Sequence, residues 1–179
     1  MAEQPPRRGF IRCYGLFWRR QEVIWSRADG SGAYRLLGRL GTNAPKVQVC
    51  DFRAQRGIYV LYDDYGSYYV GLARNQAIGN RLRTHTRDVH ADRWDRFSWF
   101  GFMQVLKRPL PDGTRDLGAP PHRLLTNSHW TIGDMEALLI QALGTQHRGN
   151  LQTMKFAAAQ MWTQVMRDEV ETYFAKVSR

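Results

Sequence analysis

The chain contains few cysteines and no long apolar run, and each shortage excludes a class of protein. Its two cysteines, Cys13 and Cys50, are too few for a disulfide framework and lack the spacing of zinc ligands. No apolar run reaches the roughly 18 residues of a membrane-spanning helix, and the first residues lack a secretory signal. We therefore expect a cytoplasmic protein that does not span a membrane, with both thiols buried and reduced.

Acidic residues are also scarce relative to basic ones. The chain has 16 aspartates and glutamates against 26 lysines and arginines, which gives a formal net charge of +10. Such a charge attracts phosphate polymers or anionic membranes, although it also serves solubility alone. With 179 residues, 43% hydrophobic and 12% aromatic, the chain suits one folded domain. Composition thus favours a single globular domain with a polyanionic partner.

The chain divides into four predicted regions. Residues 1–8 are polar and proline-bearing, and we expect a disordered tail there. Residues 9–55 contain short strand-like runs separated by turn residues, which predicts a β-rich extension packed on the core. The core is expected over 56–150, followed at 151–179 by a C-terminal segment that packs a helix on it.

Within the core, the pattern predicts a mixed α+β unit. We expect a hairpin from Gly57 to Gly71, a helix over about 75–89 and a strand over 97–106. The proline-rich stretch 107–129 is typical of a long surface loop. A further helix is expected to end near Leu143.

Helix-boundary signals complete the prediction. Thr131 and Asp134 resemble a capping box that opens the helix ending near Leu143, and Gly144 is a plausible C-cap. A last helix is expected over about 156–176. Its apolar residues recur at helical spacing and are predicted to be core: Met161, Trp162, Val165, Met166, Val170, Tyr173 and Phe174.

Two hairpin tyrosines, Tyr59 and Tyr69, serve one site only if both face the same side of the hairpin. Pairing Tyr59 directly with Tyr69 places Tyr62 opposite Gly66 and leaves the odd loop 63–65. A two-residue turn would put the tyrosines on opposite faces. The alternative is that these are ordinary strand tyrosines.

Arg81 and His85 stand four residues apart, so on a helix they share one face. A guanidinium binds phosphate oxygens in a fork, and a neutral imidazole accepts or holds a tyrosine proton. The alternative is a pair of solvated polar residues. Nearby Arg74, Arg83 and Arg87 line the approach of a nucleic acid or simply solvate the helix.

Glu136 lies early in the third predicted helix among apolar residues. Its carboxylate is either a helix-start charge or a hard oxygen ligand for a divalent ion, and Asp134 already offers a helix-start charge. Asn150 follows the basic pair His147 and Arg148, which we expect to add basic surface that contacts the nucleic acid. An asparagine at position 150 is either a turn residue or part of a site.

The order of these motifs resembles the GIY-YIG nucleases over about residues 56–150. The matching elements are Gly57-Ile58-Tyr59, Tyr69-Val70-Gly71, Arg81-Leu82 with His85, Glu136-Ala137-Leu138-Leu139-Ile140, and Asn150. The resemblance implies a three-stranded antiparallel sheet flanked by helices, with the site on one sheet face. It also implies phosphodiester hydrolysis.

By this resemblance, Tyr59 would be the base or hydroxyl that activates water. Tyr69 would position the phosphate and water, and Arg81 would stabilise the pentavalent phosphate. His85 would relay or hold the Tyr59 proton.

The resemblance further implies that Glu136 binds one Mg²⁺ or Mn²⁺ ion for the leaving oxygen, and that Asn150 fixes local geometry. Many members carry lysine directly after the second glycine, where this chain has Leu72, so that cationic contact is absent or replaced by Arg74. The segments 69–81 and 136–150 are slightly longer than the pattern.

The expected function is a metal-dependent endonuclease acting on nucleic acid, with DNA as the first choice. Restriction of foreign DNA is the leading purpose, followed by repair or processing of branched or single-stranded DNA. A homodimer would be needed for simultaneous cuts in both strands. The alternative is a catalytically silent nucleic-acid-binding module that stacks bases on Trp94 and Trp99.

Overall fold

A computed structural model describes residues 9–26, 34–120, 128–144, 156 and 158–178. Over these residues the chain forms two five-stranded sheets and three α-helices. In spatial order the first sheet contains β5 (Gly66–Ala73), β4 (Gly57–Asp63), β6 (Arg96–Gly101), β1 (Cys13–Arg19) and β9 (Gln160–Met161). The second contains β10 (Thr163–Gln164), β2 (Leu37–Leu40), β3 (Gln48–Asp51), β8 (Arg115–Leu117) and β7 (Val105–Pro109). The helices are α1 (Ile78–Thr84), α2 (Ser128–Leu143) and α3 (Val170–Val177).

The α+β class is therefore as expected, but the first sheet has five strands rather than three. Strands β5, β4 and β6 form an antiparallel trio, and β1 extends it by pairing antiparallel with β6. The short β9 then pairs parallel with β1. The first strand of the β-rich segment 9–55 is thus a member of the sheet that carries the hairpin, whereas β2 and β3 belong to the second sheet.

The two faces of the first sheet bury different clusters because side chains alternate along each strand. On one face Tyr59, Trp99 and Leu61 pack with Ile78 and Leu82 of α1. On the opposite face, Val60 and Phe100 belong to the cluster that includes Ala137 of α2. Both faces are covered, which explains why β4 is buried at nearly every position.

The hairpin register differs from the predicted one. Asp63 pairs with Gly66 around a two-residue turn, and Tyr59 pairs with Gly71 instead of Tyr69. A two-residue turn alone would place Tyr59 and Tyr69 on opposite faces. A β-bulge in β5, opposite Leu61 and Tyr62, adds one residue and returns both tyrosines to the same face. The tyrosines therefore share a face as required, although the predicted odd loop was wrong.

Two long predicted elements are also wrong. The stretch 107–129 is not one loop, since β7 and β8 pair antiparallel within it; residues 121–127 lie outside the described part. The last helix is restricted to Val170–Val177 instead of 156–176, because Trp162 and Val165 donate backbone hydrogen bonds to Tyr14 and Leu37 next to the paired strands β9 and β10. Met161, predicted to be core, is 52% exposed.

The third predicted helix, α2, begins at Ser128, so Thr131 lies inside it and the capping box is wrong. The carboxylate of Asp134 instead accepts a hydrogen bond from the backbone nitrogen of Ile11 at 3.2 Å. The expected C-cap is confirmed, since Gly144 follows the helix with φ of 66°. Both cysteines are buried and unpaired, as predicted. No helix in the described part of the chain is long and apolar enough to cross a membrane.

Candidate active site

A hydrogen-bonded chain of three side chains forms the centre of the candidate site. The Tyr59 hydroxyl lies 2.8 Å from Nε2 of His85, and Nδ1 of His85 lies 2.8 Å from a carboxylate oxygen of Asp88. Tyr59 belongs to β4, His85 caps the C-terminal end of α1, and Asp88 follows in the next turn. The sheet and the helix end therefore hold the two halves of this chain in fixed register.

Charge and burial determine the protonation states of the side chains in this hydrogen-bonded chain. Burial lowers the pKa of His85, while the Asp88 carboxylate opposes that shift, so the imidazole is neutral at pH 7. Hydrogen bonding to Asp88 assigns the imidazole proton to Nδ1, which leaves Nε2 as the acceptor of the Tyr59 proton. Burial opposes ionisation of Asp88, but hydrogen bonds from His90 and His85 hold its pKa below the usual range.

Arg81 and Tyr69 form an outer layer over this chain. Nε of Arg81 donates to the Tyr59 hydroxyl at 3.3 Å, and the Tyr69 ring centroid lies 6.1 Å from that of Tyr59. Tyr59 has no exposed surface, whereas Arg81 and Tyr69 are half-buried. Burial raises the pKa of Tyr59 to about 12, and Arg81 acts in the opposite direction. The guanidinium is thus placed to stabilise a Tyr59 phenolate and still face solvent.

Gly71 makes room for the Tyr59 ring. Gly71 pairs with Tyr59 across the hairpin, and a Cβ at this position would overlap the phenol carbon and oxygen of Tyr59. Glycine at position 71 therefore has a steric role, because a side chain there would overlap the Tyr59 phenol unless the ring or the strand shifted.

Helix α1 is held close to the sheet by two contacts. A Cβ at Gly79 would lie 2.8 Å from the backbone of Arg53, so glycine permits the approach of α1 to the 3₁₀ turn Phe52–Ala54. At the other end, Nε1 of the buried Trp94 donates to the carbonyl of His85 at 3.1 Å. These contacts fix the helix end from which His85 reaches Tyr59.

Glu136 makes no described contact with this cluster. It is exposed on α2, and its neighbour Ala137 packs on the sheet face opposite Tyr59. Among the described residues, no hydrogen bond or ion pair joins Glu136 to Tyr59, Tyr69 or Arg81. Its proposed role as metal ligand remains a prediction.

The remaining predicted residues divide into described and undescribed ones. Asn150, His147 and Arg148 lie outside the described residues. Arg87 and Arg74 are exposed, and Arg83 is half-buried with its guanidinium 5.2 Å from the Tyr34 ring centroid. A cavity of about 470 Å³ is lined by Asn80, Arg83, Thr84, Arg87 and Asp88. Two of the predicted nucleic-acid contacts thus flank the carboxylate that holds His85.

A divalent ion has two candidate places, the carboxylate of Glu136 and the cluster of His85, Asp88 and His90. Mg²⁺ commonly takes one or two carboxylates and keeps several waters, so an exposed Glu136 fits this ion. His85, Asp88 and His90 bring one ligand atom each within 4.8 Å of one another, which suits a metal that accepts nitrogen and oxygen. In the second group, however, His85 and Asp88 already bond to each other at 2.8 Å, so an ion there would replace that bond.

Sequence reasoning missed Asp88, His90 and Tyr68. Asp88 stands three residues after His85 beyond the helix end, a spacing that could have indicated a partner for the imidazole. The Tyr68 hydroxyl lies 2.9 Å from Nδ1 of His90, whose ring centroid lies 4.9 Å from that of His85. No local pattern predicted this contact, because Tyr68 reaches His90 only through the bulged strand.

Comparison with known proteins finds no family whose sequence pattern matches this chain, no similar curated protein and no similar solved structure.

Proposed function

We propose that this protein is a metal-dependent endonuclease that hydrolyses phosphodiester bonds, with Tyr59, Tyr69, Arg81 and His85 at its active site. One observation supports it above the others: a buried phenol bonded at once to a neutral imidazole and a guanidinium. Phosphodiester hydrolysis needs a proton acceptor beside a cation that stabilises phosphoryl charge. A buried structural tyrosine needs a hydrogen-bond partner, but not a base and a cation together. The resemblance to the GIY-YIG nucleases points to the same chemistry.

The outer layer meets the substrate first. The guanidinium of Arg81 binds phosphoryl oxygens, and Tyr69 positions the scissile phosphate. Their displacement toward the phosphate uncovers the Tyr59 hydroxyl, which is otherwise inaccessible. Water is then held against this hydroxyl on the side of the phosphorus opposite the leaving oxygen.

Proton transfer follows the hydrogen-bonded chain. Nε2 of His85 accepts the Tyr59 proton while the phenolic oxygen takes a proton from the attacking water. Asp88 holds the imidazole in the required tautomer and stabilises the imidazolium that forms, as a carboxylate does behind a catalytic histidine. Because the Tyr59 pKa is raised to about 12, the phenol acts through His85 rather than by ionising in advance.

The metal assignment follows the donor chemistry. Glu136 would hold Mg²⁺ or Mn²⁺, and because its helix packs on the face opposite Tyr59, such an ion would supply positive charge at a leaving oxygen only where the substrate passes the edge of the first sheet. Asn150 is proposed to fix local geometry.

The proposed substrate is DNA, and restriction of foreign DNA or the processing of branched or single-stranded DNA are its proposed contexts. The net charge of +10 supports a polyanionic substrate. Homodimerisation in a cytoplasmic setting is proposed for cuts in both strands, since one site cuts one strand at a time. Gel filtration on and off duplex DNA tests it, and a monomer under both conditions would contradict it.

The direct test is cleavage of supercoiled plasmid and single-stranded DNA with Mn²⁺, with Mg²⁺ and with chelator. Tyr59→Phe removes only the hydroxyl and should lower the nicking rate about 10²-fold or more. Glu136→Gln should abolish nicking and leave DNA binding intact. Normal nicking by Glu136→Gln would contradict the metal assignment, and normal nicking by Tyr59→Phe would overturn the proposed active site.

A second candidate function is nucleic-acid binding without cleavage. It is favoured by the position of Glu136, whose helix packs on the sheet face opposite Tyr59. The predicted stacking residues do not support it, because Trp94 is 4% exposed and Trp99 is fully buried. Tight DNA binding with no nicking under any metal condition would identify this function instead.

A further inference from the structure

A cavity of about 770 Å³ opens at the ends of β1 and β6, and the proposed chemistry does not use it. Its lining combines four arginines with two tryptophans: Arg19, Arg20, Arg96, Arg167, Trp25 and Trp94. Asp95 supplies the carboxylate in this lining, so positive charge prevails there. Guanidinium groups bind phosphate, and indole rings stack on nucleobases.

One wall of the cavity is rigidly built. The Arg20 guanidinium stacks 4.8 Å from the ring centroid of the buried Trp94 and donates hydrogen bonds to the carbonyls of Trp94 and Ala91. The Trp25 ring meets Trp94 edge-on at 6.3 Å, and its Nε1 donates to the Arg20 carbonyl at 3.0 Å. Trp25 is half-buried, so it is the indole that still offers surface to a ligand.

Two further arginines of the lining lie at the surface. Arg19 and Arg167 are exposed, and within the described part of the chain neither guanidinium has a hydrogen-bond or ion-pair partner. Arg96, in contrast, is bonded to Asp95 and to the Asp63 carbonyl, both at 3.1 Å. Phosphate oxygens would therefore find their partners at Arg19 and Arg167.

The cavity adjoins the candidate active site through Trp94, which also donates to the His85 carbonyl at 3.1 Å. Arg93, next to Trp94 in the chain, has its guanidinium 5.4 Å from the ring centroid of Tyr68, and Tyr68 bonds to His90. The His90 ring in turn contacts the rings of Tyr69 and His85, so a series of contacts joins the cavity lining to the candidate active site.

We propose that the cavity binds one nucleotide of a single-stranded nucleic acid. Its base would lie against Trp25, and the two backbone phosphates on either side of it would lie at Arg19 and Arg167. A base inside a duplex presents no free face to an indole, so the ligand is a single strand or an unpaired segment. The inference rests on the proposed function, since the bound strand is taken to be the substrate whose scissile phosphate reaches Arg81.

Binding is measured by fluorescence anisotropy of a labelled 12-residue thymidine oligonucleotide, with chelator present so that cleavage does not interfere. The double variant Arg19→Ala/Arg167→Ala should bind about tenfold more weakly or worse. It should also reduce the slope of log affinity against log salt by about 1.4, because two phosphate contacts are lost. The matched control is Lys107→Ala/Arg108→Ala, which removes the same charge from the exposed strand β7 and should leave this slope within about 0.5 of the wild type.

The indole is tested separately from the charge. Trp25→Ala should weaken binding about 5- to 150-fold through the lost stacking, whereas Trp25→Phe should restore most of the affinity. Circular dichroism confirms that each variant is folded. If Trp25→Ala misfolds, Trp25→Phe still tests the contact. This variant should keep most of the affinity, and the oligonucleotide should quench less tryptophan fluorescence than in the wild type, because the stacked tryptophan is gone.

Several outcomes would overturn the proposal. One is that inorganic polyphosphate binds as tightly as the oligonucleotide and that Trp25→Ala does not change the affinity. Another is that binding of a blunt duplex depends on Arg19, Arg167 and Trp25 as strongly as binding of the single strand. The third is that a mononucleotide binds as tightly as the strand. Wild-type binding that depends on the cavity while plasmid nicking is absent would sink the proposed nuclease activity and leave the nucleotide site standing. Nicking that needs Tyr59 but ignores the cavity would do the reverse.

Discussion

The two faces of the first sheet are built from alternate residues of the same strands, yet they bury different chemistry. On one face Tyr59 lies in an apolar cluster with Leu61 and Trp99, but its hydroxyl is bonded to His85 and Arg81 in a buried polar network. On the other, Val60 and Phe100 belong to a largely apolar cluster with Ala137. Hydrogen bonding is what allows the polar face to be buried, because an unpaired buried phenol or imidazole would be costly.

Under the proposed function, the two faces divide stability and activity between them. The apolar face contributes stability through packing, and it tolerates changes that leave volume nearly constant. In the proposed mechanism the polar face depends on hydrogen-bond distances, and a misplacement of about 1 Å would cost about 10²-fold in rate. Substitutions on the two faces should therefore separate activity from stability.

The largest expected effect is on the polar face, at His85. His85→Gln removes the proton acceptor and should lower the nicking rate about 10²- to 10⁴-fold. For the wild type we expect the rate to be flat at neutral and alkaline pH and to fall only below the pKa of His85, which burial lowers from its ordinary value of about 6.5, because a protonated imidazole cannot accept the Tyr59 proton.

In His85→Gln, by contrast, the remaining rate should rise steadily toward alkaline pH, because the phenol must then lose its proton to solvent. Single-turnover rates from pH 5 to 10 measure both profiles. Identical profiles for wild type and variant would show that His85 is not in the proton path.

Gly71→Ala should have the next largest effect. The added methyl overlaps the Tyr59 ring, so the hydroxyl moves away from His85 and Arg81. We expect the nicking rate to fall about 10²-fold and the free energy of unfolding to fall by about 1–3 kcal/mol. Plasmid nicking and urea titration measure the two effects. Leu72→Ala, on the opposite face and 56% exposed, is the matched control and should change stability by less than about 0.5 kcal/mol.

The apolar face should respond in the opposite way. Val60→Ala removes buried methyl groups against Phe100 and should lower the free energy of unfolding by about 2 kcal/mol while changing the nicking rate less than about threefold. A loss of activity as large as that of Gly71→Ala, with the protein folded, would show that the two faces are coupled.

The smallest expected effect concerns stability against pH. The pKa of His85 is lowered in the folded protein, so below about pH 6.5 the unfolded chain binds more protons at this residue than the folded one. The contribution of His85 should therefore destabilise the fold as pH falls below that value and vanish above it. Thermal melting at pH 5.5 and 7.5 should show a smaller difference for His85→Gln than for the wild type.

The hairpin and the helix after it could be predicted because their signals are local. Gly57 starts β4 as expected, and α1 falls within the predicted helix 75–89. The final helix could not be predicted, since apolar residues such as Trp162 and Val165 fit a buried helix and a buried strand equally well. Their backbone bonds to Tyr14 and Leu37 decide the outcome, and both partners are remote in sequence.

The amino-acid sequence by itself determined the residue types and their order: two tyrosines, an arginine and a histidine spaced four apart, and an excess of positive charge. Tertiary structure alone decided that a bulge returns Tyr69 to the face of Tyr59, that Asp88 holds His85, and that the helix of Glu136 packs on the opposite face. The reason is physical. Strand register and burial depend on hydrogen bonds and packing between distant segments, which no local pattern encodes.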